Sequence, residues 1–203
     1  MSSTEAKFKR TVVLITGHAR AGKDTFADGI VEGAKHHVLR LNFADTLKQR
    51  CDDFLASLKI GGRDSNNSFY NEDFKIKNRA ALVEMAILAR SIDKDVFAKA
   101  FCEQCQWHEE NMANVGENCT VVCSDWRYEN EHLVVGLLLG IFGWDVYTVL
   151  ISTMGVLPAC EEELKSIGAI KRECPIDLEL LFAPDSKRTI LAEGKHFAQT
   201  IGI

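Results

Sequence analysis

A strand, a glycine-rich loop and a helix follow one another near the start of the chain. Residues 11–16 (TVVLIT) form a short β-branched run of the length and composition of a buried strand. The loop at 17–25 (GHARAGKDT) comes next, and Phe26, Ile30 and Ala34 then recur at the spacing of one helix face. A buried strand that turns through glycines into a helix is typical of α/β sheet proteins, and this order limits the fold class more than any other feature.

Further strands alternate with helices along the rest of the chain. Apolar or alternating runs predict four more strands, at 37–43, 119–123, 144–151 and 176–182. Helical spacing predicts helices at 47–58, in two stretches of 72–111 that divide near 91–93, at 128–139 and at 185–201. Because most of the strands are apolar throughout, we expect a parallel sheet of about five strands with helices on both faces.

We expect this sheet to form one domain, since 203 residues lie at the upper end of the single-domain range. The polar residues 1–10 are predicted to be a flexible tail, about 45–111 a helical insert, and about 152–175 a polar excursion. Within the insert, one apolar helix face is predicted from Phe74, Ala81, Leu82, Met85 and Leu88.

The composition excludes several classes of protein. With 46% hydrophobic and 26% charged residues, the chain is globular and is neither disordered nor collagen-like. Asp and Glu number 29 against 24 Lys and Arg, a net charge of −5, so neither nucleic acid nor an anionic membrane is an expected partner. The most apolar run, 133–144, is shorter than the roughly 20 residues of a membrane span and is predicted to be a buried helix and a turn.

The cysteines point to a reducing compartment. There are seven, an odd number without the spacing of a disulfide framework, and residues 1–10 contain no apolar signal region. We therefore expect free thiols and a cytoplasmic protein, with a homodimer as a possible assembly.

The loop at 17–25 fits the phosphate-binding pattern G-x-x-x-x-G-K. Glycines let successive backbone N–H groups approach a β-phosphate, the helix N-terminus adds positive partial charge, and the lysine reaches the β- and γ-phosphates. The pattern therefore predicts a P-loop NTPase that binds ATP. The residues predicted to contact the nucleotide are Gly17, His18, Ala19, Arg20, Ala21, Gly22, Lys23, Asp24 and Thr25.

One position of this loop bears on the metal. Asp24 stands where Ser or Thr usually binds Mg²⁺, and a hydroxyl group appears only at Thr25. A carboxylate can hold Mg²⁺ directly or through water, but an acid in the first turn can also simply cap its helix. Both roles stay open at this stage, and the candidate Mg²⁺ ligands are Asp24, Thr25 and Asp125.

A second segment carries an acid and an arginine at the carboxyl end of a predicted strand, where open α/β sheets bind ligands. In residues 123–131 (CSDWRYENE), Asp125 is predicted either to hold the waters of Mg²⁺ or to cap a helix that begins at Trp126. Arg127 and Glu131 lie one helical turn apart. They form either an ordinary surface ion pair or a pair in which Glu131 aims Arg127 at a phosphate.

These two segments resemble a known enzyme family. GHARAGKDTFAD is similar to the P-loop of the phage-type deoxynucleoside monophosphate kinases, G-x-x-R-x-G-K-D-T. An aspartate at the position of Asp24 is usual in that family. SDWRYENE is similar to the family's D-x-R-x-x-N-E segment. Looser similarities lie at 42–48 (NFADTLK), and at Arg79 with 90–97 (RSIDKDVF). The resemblance implies a nucleoside-monophosphate-kinase-like fold, ATP and Mg²⁺ as donor, a deoxynucleoside monophosphate as acceptor, and an acceptor-binding role for the insert.

The match fails on the side of the expected lid. The family has Arg-Pro and then His-x-Ser-Glu where this chain has 151–155 (ISTMG) and 160–163 (CEEE). Lys171 and Arg172 are the nearest cations to replace a lid arginine, or else a solvated basic pair. Animal-type phosphomevalonate kinases share the G-K-D loop and an S-D-x-R segment and are a competing resemblance. A nucleotide-binding protein without transfer activity is the third alternative.

The expected chemistry requires cations. The acceptor monophosphate is already ionised, because its second pKa is near ~6, so its attack needs no general base. Catalysis is then positioning and neutralisation of charge. The predicted catalytic residues are Lys23, Arg20, Arg127 and Asp125. The predicted substrate-binding residues are Lys48, Arg79, Arg90, Arg127 and Glu131, of which Lys48, Arg79 and Arg90 could instead be surface charges on helices.

Overall fold

A computed structural model describes residues 8–113 and 117–203 and contains one parallel sheet. Its strands are β1 (Arg10–Thr16), β2 (Val38–Arg40), β3 (Cys119–Cys123), β4 (Asp145–Thr153) and β5 (Leu178–Phe182). They lie in the order β2-β3-β1-β4-β5, and every neighbouring pair is parallel. The predicted fold class is confirmed. Strands β2 and β3 lie on one side of β1, and β4 and β5 lie on the other. Parallel sheets of this kind bind ligands at the carboxyl end of the strand where the strand order reverses, which is β1 here.

Helices cover both faces of the sheet. They are α1 (Lys23–Gly33), α2 (Phe43–Ser57), α3 (Glu72–Lys77), α4 (Arg79–Ile92), α5 (Val96–Ala113), α6 (Glu129–Ile141), α7 (Glu161–Glu173) and α8 (Lys187–Ile201). Side chains alternate along β1, so Val13 and Ile15 pack with α1 and α8, whereas Val12 and Leu14 pack with α5 and α6. The continuous apolar run that predicted the strand therefore belongs to two core clusters.

The closest helix pair supports the first loop. Helices α1 and α8 cross at Gly29 and Gly194, where their backbones touch. A Cβ on Gly29 would overlap the carbonyl oxygen of Leu191, and one on Gly194 would overlap that of Phe26. Only glycine permits this approach, which holds the helix after the glycine loop firmly on the sheet.

The structure corrects the predicted boundaries of two strands, β2 and β1. The strand predicted at 37–43 ends at Arg40, because Asn42 begins a capping box with Asp45 and α2 starts at Phe43. The tail predicted at 1–10 does not extend to Arg10, which begins β1, and residues 1–7 lie outside the described residues.

The helical insert has one more break than predicted. The division near 91–93 is confirmed by the end of α4, but Asn78 also separates α3 from α4. The predicted apolar face was partly wrong, because Ala81, Met85 and Leu88 are exposed. Leu82 of the predicted face is half-buried, and α4 packs against the core through Ala86 and Ala89. Periodicity marks apolar positions, but which of them are covered depends on the neighbouring helices.

The most apolar run forms α6, as predicted, but only one side of this helix is buried. Val135 and Leu139 lie in the core, whereas Leu133, Leu137 and Ile141 are exposed. In the described ranges, no helix combines the length and apolar character that crossing a membrane requires. All seven cysteines are free thiols, and Cys160 alone among them is exposed.

Candidate functional site

The glycine loop joins β1 to α1, and its shape is set by the neighbouring strand. Gly17 has φ 141°, and a Cβ there would overlap the carbonyl oxygen of Ile151 in β4. Gly22, with φ 93°, is the N-cap of α1. Thr153, at the end of β4, donates from Oγ1 to the carbonyl oxygen of Ala21 at 3.0 Å. The two glycines of the motif are therefore required by the backbone itself.

The N-terminus of α1 is open for an anion. The first amides of a helix have no intrahelical acceptor. In α1 the first intrahelical bond runs from Phe26 N to Gly22 O at 2.9 Å, and no side chain in the described ranges caps this end. The amides of Lys23, Asp24 and Thr25, together with the helix dipole, therefore form the kind of site that binds phosphate.

Lys23 lies folded over this loop. Its Nζ donates to the carbonyl oxygens of Gly17 and His18, both at 2.8 Å. Burial, and then the nearby charge of Arg127, lower the pKa of Lys23 below its usual value. Lys23 of the glycine loop and Arg127 of the segment 123–131 were both predicted to be catalytic residues. In the structure, the two side chains lie near enough for their charges to interact. Arg20, exposed with φ 65°, stands in the same loop.

Asp24 has partners that the sequence did not indicate. Its carboxylate is 82% exposed, and Oδ1 accepts from Ser124 Oγ at 2.7 Å and from Arg40 at 3.1 Å. Arg40 is the last residue of β2 and also donates to Asp28 at 2.6 Å. Sequence analysis missed Arg40, although its position at the carboxyl end of a strand was a usable signal.

The residues present fit Mg²⁺ that arrives with a nucleotide. Mg²⁺ keeps several waters and is usually bound by one or two carboxylates plus substrate phosphates. The exposed carboxylate of Asp24 and the adjacent hydroxyl of Thr25 meet that need beside the open amides. Within the described residues, no group of three or more His, Cys, Asp or Glu side chains forms a metal site made of protein alone.

Asp125 caps a different helix from the one predicted. Its Oδ1 accepts from the amide of Phe43 at 2.9 Å and its Oδ2 from that of Ala44 at 3.0 Å, so it holds the start of α2. The helix expected to begin at Trp126 begins only at Glu129, because the extended residue Tyr128 is its N-cap and forms a capping box with Glu131. With both oxygens bound to α2, Asp125 is placed to fix the insert to the sheet.

Glu131 holds the backbone next to Arg127 and not its guanidinium. Oε2 accepts from the amides of Arg127 at 2.9 Å and Tyr128 at 3.1 Å, and Oε1 lies 3.7 Å from Arg90. The side chain is 3% exposed, and burial raises the pKa of Glu131 to about 7. The predicted ion pair with Arg127 was therefore wrong. The buried carboxylate is placed to position the guanidinium of Arg90 and the backbone of Arg127.

Arg90 is the more strongly oriented of the two arginines predicted on the insert. Its Cζ lies 4.8 Å from the ring centroid of Phe97 and 4.5 Å from that of Tyr128. Two aromatic faces and Glu131 therefore hold the guanidinium beside the Arg127 segment. Arg79, exposed at the start of the same helix, is about 16 Å from Arg90 along the axis at 1.5 Å per residue.

Lys48 lies on the side of the insert that faces Asp125. Its Nζ donates to Asp45 at 2.8 Å and is 5.7 Å from the ring centroid of Tyr70. Although burial acts to lower it, the hydrogen bond to Asp45 and the charges of Asp45 and Asp125 raise the pKa of Lys48 above its usual value. Lys48 is therefore positively charged at neutral pH and lies near Asp45 and Asp125.

Three solved structures are distantly similar to this chain. No protein-family model matches the chain, and no curated protein matches it. Among solved structures, it is similar to an unliganded sugar kinase from Janibacter sp. HTCC2649, with 12% identity, a TM-score of 0.45, and coverage of 95% of this chain and 93% of that one.

Two structures of the APS kinase of Mycobacterium tuberculosis are similar at the same level. A mutant of that kinase has 15% identity and a TM-score of 0.41, with coverage of 97% of this chain and 100% of that one. Its complex with AMPPNP and APS has 14% identity and a TM-score of 0.42, with the same coverage.

In the region predicted to be a lid, about 152–175, the side chain that contacts the glycine loop is the acid Glu163. The sequence leaves either a lid role or a solvated basic pair open for Lys171 and Arg172. Both are exposed in the last turn of α7, where Lys171 donates to Glu179 of β5 at 2.9 Å. At the other end of α7, Glu163 accepts from the amide of Ala19 at 2.9 Å. In the sequence, Glu163 is the last of three consecutive acids, and it stands at the position of the glutamate in the His-x-Ser-Glu segment with which 160–163 was compared.

Proposed function

We propose that the chain transfers a phosphoryl group from ATP, with Mg²⁺, to a deoxynucleoside monophosphate, giving the diphosphate and ADP. This proposal rests on the N-terminus of α1, whose first backbone amides are free to bind an anion next to the side chain of Lys23. Arg127 lies close enough to this lysine to lower its pKa. Such a cluster of amides and cations suits a polyphosphate. The choice of acceptor rests on the similarity of 124–131 to the deoxynucleoside monophosphate kinases.

The residues divide between donor and acceptor. Lys23 and the α1 amides bind the β- and γ-phosphates, and the exposed Arg20 and Arg127 add positive charge where transfer occurs. Arg90, held between two rings, and Lys48 bind the acceptor phosphate. The acceptor oxygen is already ionised, so no base is required.

Mg²⁺ would be held by Asp24 and Thr25, where it would neutralise phosphate charge. The Ser124 hydroxyl, which donates to Asp24 Oδ1, orients this carboxylate. Asp125 contributes indirectly, because it fixes the start of α2 and hence the insert that carries Lys48.

One observation favours a second candidate, a nucleotide-binding protein without transfer activity. In the described part of α7, the side chain that contacts the loop is the acid Glu163, and Lys171 is paired elsewhere. A kinase usually supplies a cation from this side to stabilise the transferred group.

The proposal is tested by measuring ADP release with a panel of deoxynucleoside and ribonucleoside monophosphates and with phosphomevalonate. We expect turnover with at least one deoxynucleoside monophosphate and a loss of more than about 100-fold in Lys23→Ala. Lys195→Ala is the matched control, because Lys195 pairs with Glu32 on the surface of α8. Turnover with phosphomevalonate alone would refute the acceptor. ATP binding without acceptor-stimulated turnover would favour the second candidate.

A further inference from the structure

The phosphate-binding loop already contains a carboxylate of the same chain. Glu163, in the first turn of α7, accepts from the amide of Ala19 through Oε1 at 2.9 Å and from that of Ala159 through Oε2 at 2.7 Å. Oε2 also lies 3.8 Å from Nδ1 of His18, and the Glu163 side chain is only 10% exposed. Ala19 and His18 belong to the loop that the motif assigns to phosphate.

The charges around this carboxylate are those that a phosphate would meet. Although burial acts to raise it, hydrogen bonds from Ala159 and Ala19 and the charges of His18 and Lys23 leave the pKa of Glu163 below its usual value. Glu163 is therefore ionised at neutral pH. Its negative charge acts in turn on Lys23, the lysine expected to bind the β- and γ-phosphates.

We infer that Glu163 is an internal substitute for a phosphate oxygen, which closes the loop until ATP displaces it. The inference rests on the proposed function, because it assumes that this loop binds ATP. Ala19 has one N–H, and a carboxylate and a phosphate placed together beside it would repel one another. ATP therefore binds only the fraction of molecules in which the start of α7 has left the loop, and its apparent affinity is reduced by that fraction.

The start of α7 also contacts the acceptor side. Glu162 accepts from the Tyr128 hydroxyl at 2.7 Å, and the ring of Tyr128 lies over Arg90. Movement of Glu163 away from Ala19 therefore also disturbs the contact that orients an acceptor arginine. ATP binding and the arrangement of the acceptor site are coupled through this helix end.

The first test is the dissociation constant of ATP, measured by calorimetry for the wild type, Glu163→Gln and Glu161→Gln. Glutamine keeps one oxygen that can accept from Ala19, but it removes the charge and the second acceptor, which Ala159 uses, so we expect Glu163→Gln to bind ATP about tenfold more tightly. Among the described residues, Glu161 pairs with Lys165 on the surface of the same helix, so Glu161→Gln should stay within about twofold of the wild type.

The second test needs no substitution at Glu163. Cys160 is the N-cap of α7 and the exposed cysteine of the chain, while the other six are buried. We expect ATP to change the rate at which a thiol reagent modifies Cys160 in the wild type by at least about twofold.

Equal ATP affinity in the three proteins, or a Cys160 rate that ATP leaves unchanged, would overturn the inference while the proposed function stands. A wild-type protein that binds neither ATP nor pyrophosphate would overturn both. Tighter binding in Glu163→Gln together with an ATP-dependent Cys160 rate would support the inference even if no acceptor were found.

Discussion

Arg40 and Asp24 form an ion pair between the end of β2 and the first turn of α1, with an N to O distance of 3.1 Å. Ser124 donates to the same carboxylate oxygen at 2.7 Å. Asp24 is also the residue expected to hold Mg²⁺. If Mg²⁺ binds there as proposed, the guanidinium of Arg40 competes with the metal for this carboxylate.

Replacing Arg40 should strengthen Mg²⁺ binding. An exposed pair of this kind is worth up to about 1 kcal/mol, so Arg40→Gln should lower the half-saturating Mg²⁺ concentration by up to about fivefold. Turnover measured against free Mg²⁺ at saturating ATP checks this. Arg50→Gln is the control, because Arg50 pairs with Asp53 at the surface. A higher Mg²⁺ requirement in Arg40→Gln would show that Arg40 supports metal binding.

The two arginines of α4 should differ in their effect on the acceptor. Arg90 is held by Phe97, Tyr128 and Glu131, whereas Arg79 is exposed at the opposite end of the helix. We expect Arg90→Ala to raise the acceptor KM at least about tenfold, as loss of a charge-assisted contact would. Arg79→Ala should change it less than about twofold. Equal effects of the two substitutions would contradict this arrangement.

Glu131 should make stability depend on pH. Its pKa is raised to about 7 by burial, whereas in the unfolded chain it titrates near 4.5. The stabilisation is therefore complete below about pH 4.5 and is lost as the pH rises through about 7. Relative to Glu131→Gln, the wild type should lose about 3 kcal/mol of unfolding free energy between pH 4.5 and 8. Urea denaturation at several pH values measures the loss, with Glu84→Gln, an exposed site on α4, as control.

Removal of the Asp125 carboxylate should loosen the start of α2. The side chain accepts two backbone amides from Phe43 and Ala44, so Asp125→Ala should cost about 2 kcal/mol of unfolding free energy. Asp64→Ala, in an exposed loop, should change the same free energy by less than about 0.5 kcal/mol. A loss of Mg²⁺ affinity in Asp125→Ala with unchanged stability would instead indicate a metal ligand.

Two glycine substitutions should act in opposite directions. A Cβ on Gly17 would overlap the carbonyl oxygen of Ile151, and φ there is 141°, so Gly17→Ala should destabilise the fold by more than about 3 kcal/mol. A Cβ on Gly136 in α6 meets no atom within 4 Å, so Gly136→Ala should stabilise by about 0.5–1 kcal/mol. Thermal unfolding compares them, and a tolerated Gly17→Ala would mean that the loop differs from the one described.

The parallel sheet and the glycine loop could be predicted because their signals are local. A continuous β-branched run marks a buried strand wherever it stands, and Gly17 and Gly22 are needed because their own φ angles are positive. Boundaries that depended on caps were less accurate, as at Asn42, where a capping box ended the predicted strand early.

The partners of the charged residues were not predictable in this way. Glu163 contacts Ala19 across 144 residues of chain, and Asp125 contacts Phe43 across 82. The sequence correctly predicted that Glu131 contacts the segment of Arg127. It did not predict that the guanidinium nearest to Glu131 would be that of Arg90, on another helix.

The amino-acid sequence alone determined that a strand, a glycine loop and a helix would follow one another, since backbone conformation and apolar periodicity are properties of neighbouring residues. Only the tertiary structure decided which acids and cations meet around that turn. These contacts between charged side chains depend on the strand order β2-β3-β1-β4-β5 and on how the helices pack across the sheet. No short stretch of residues determines either of them.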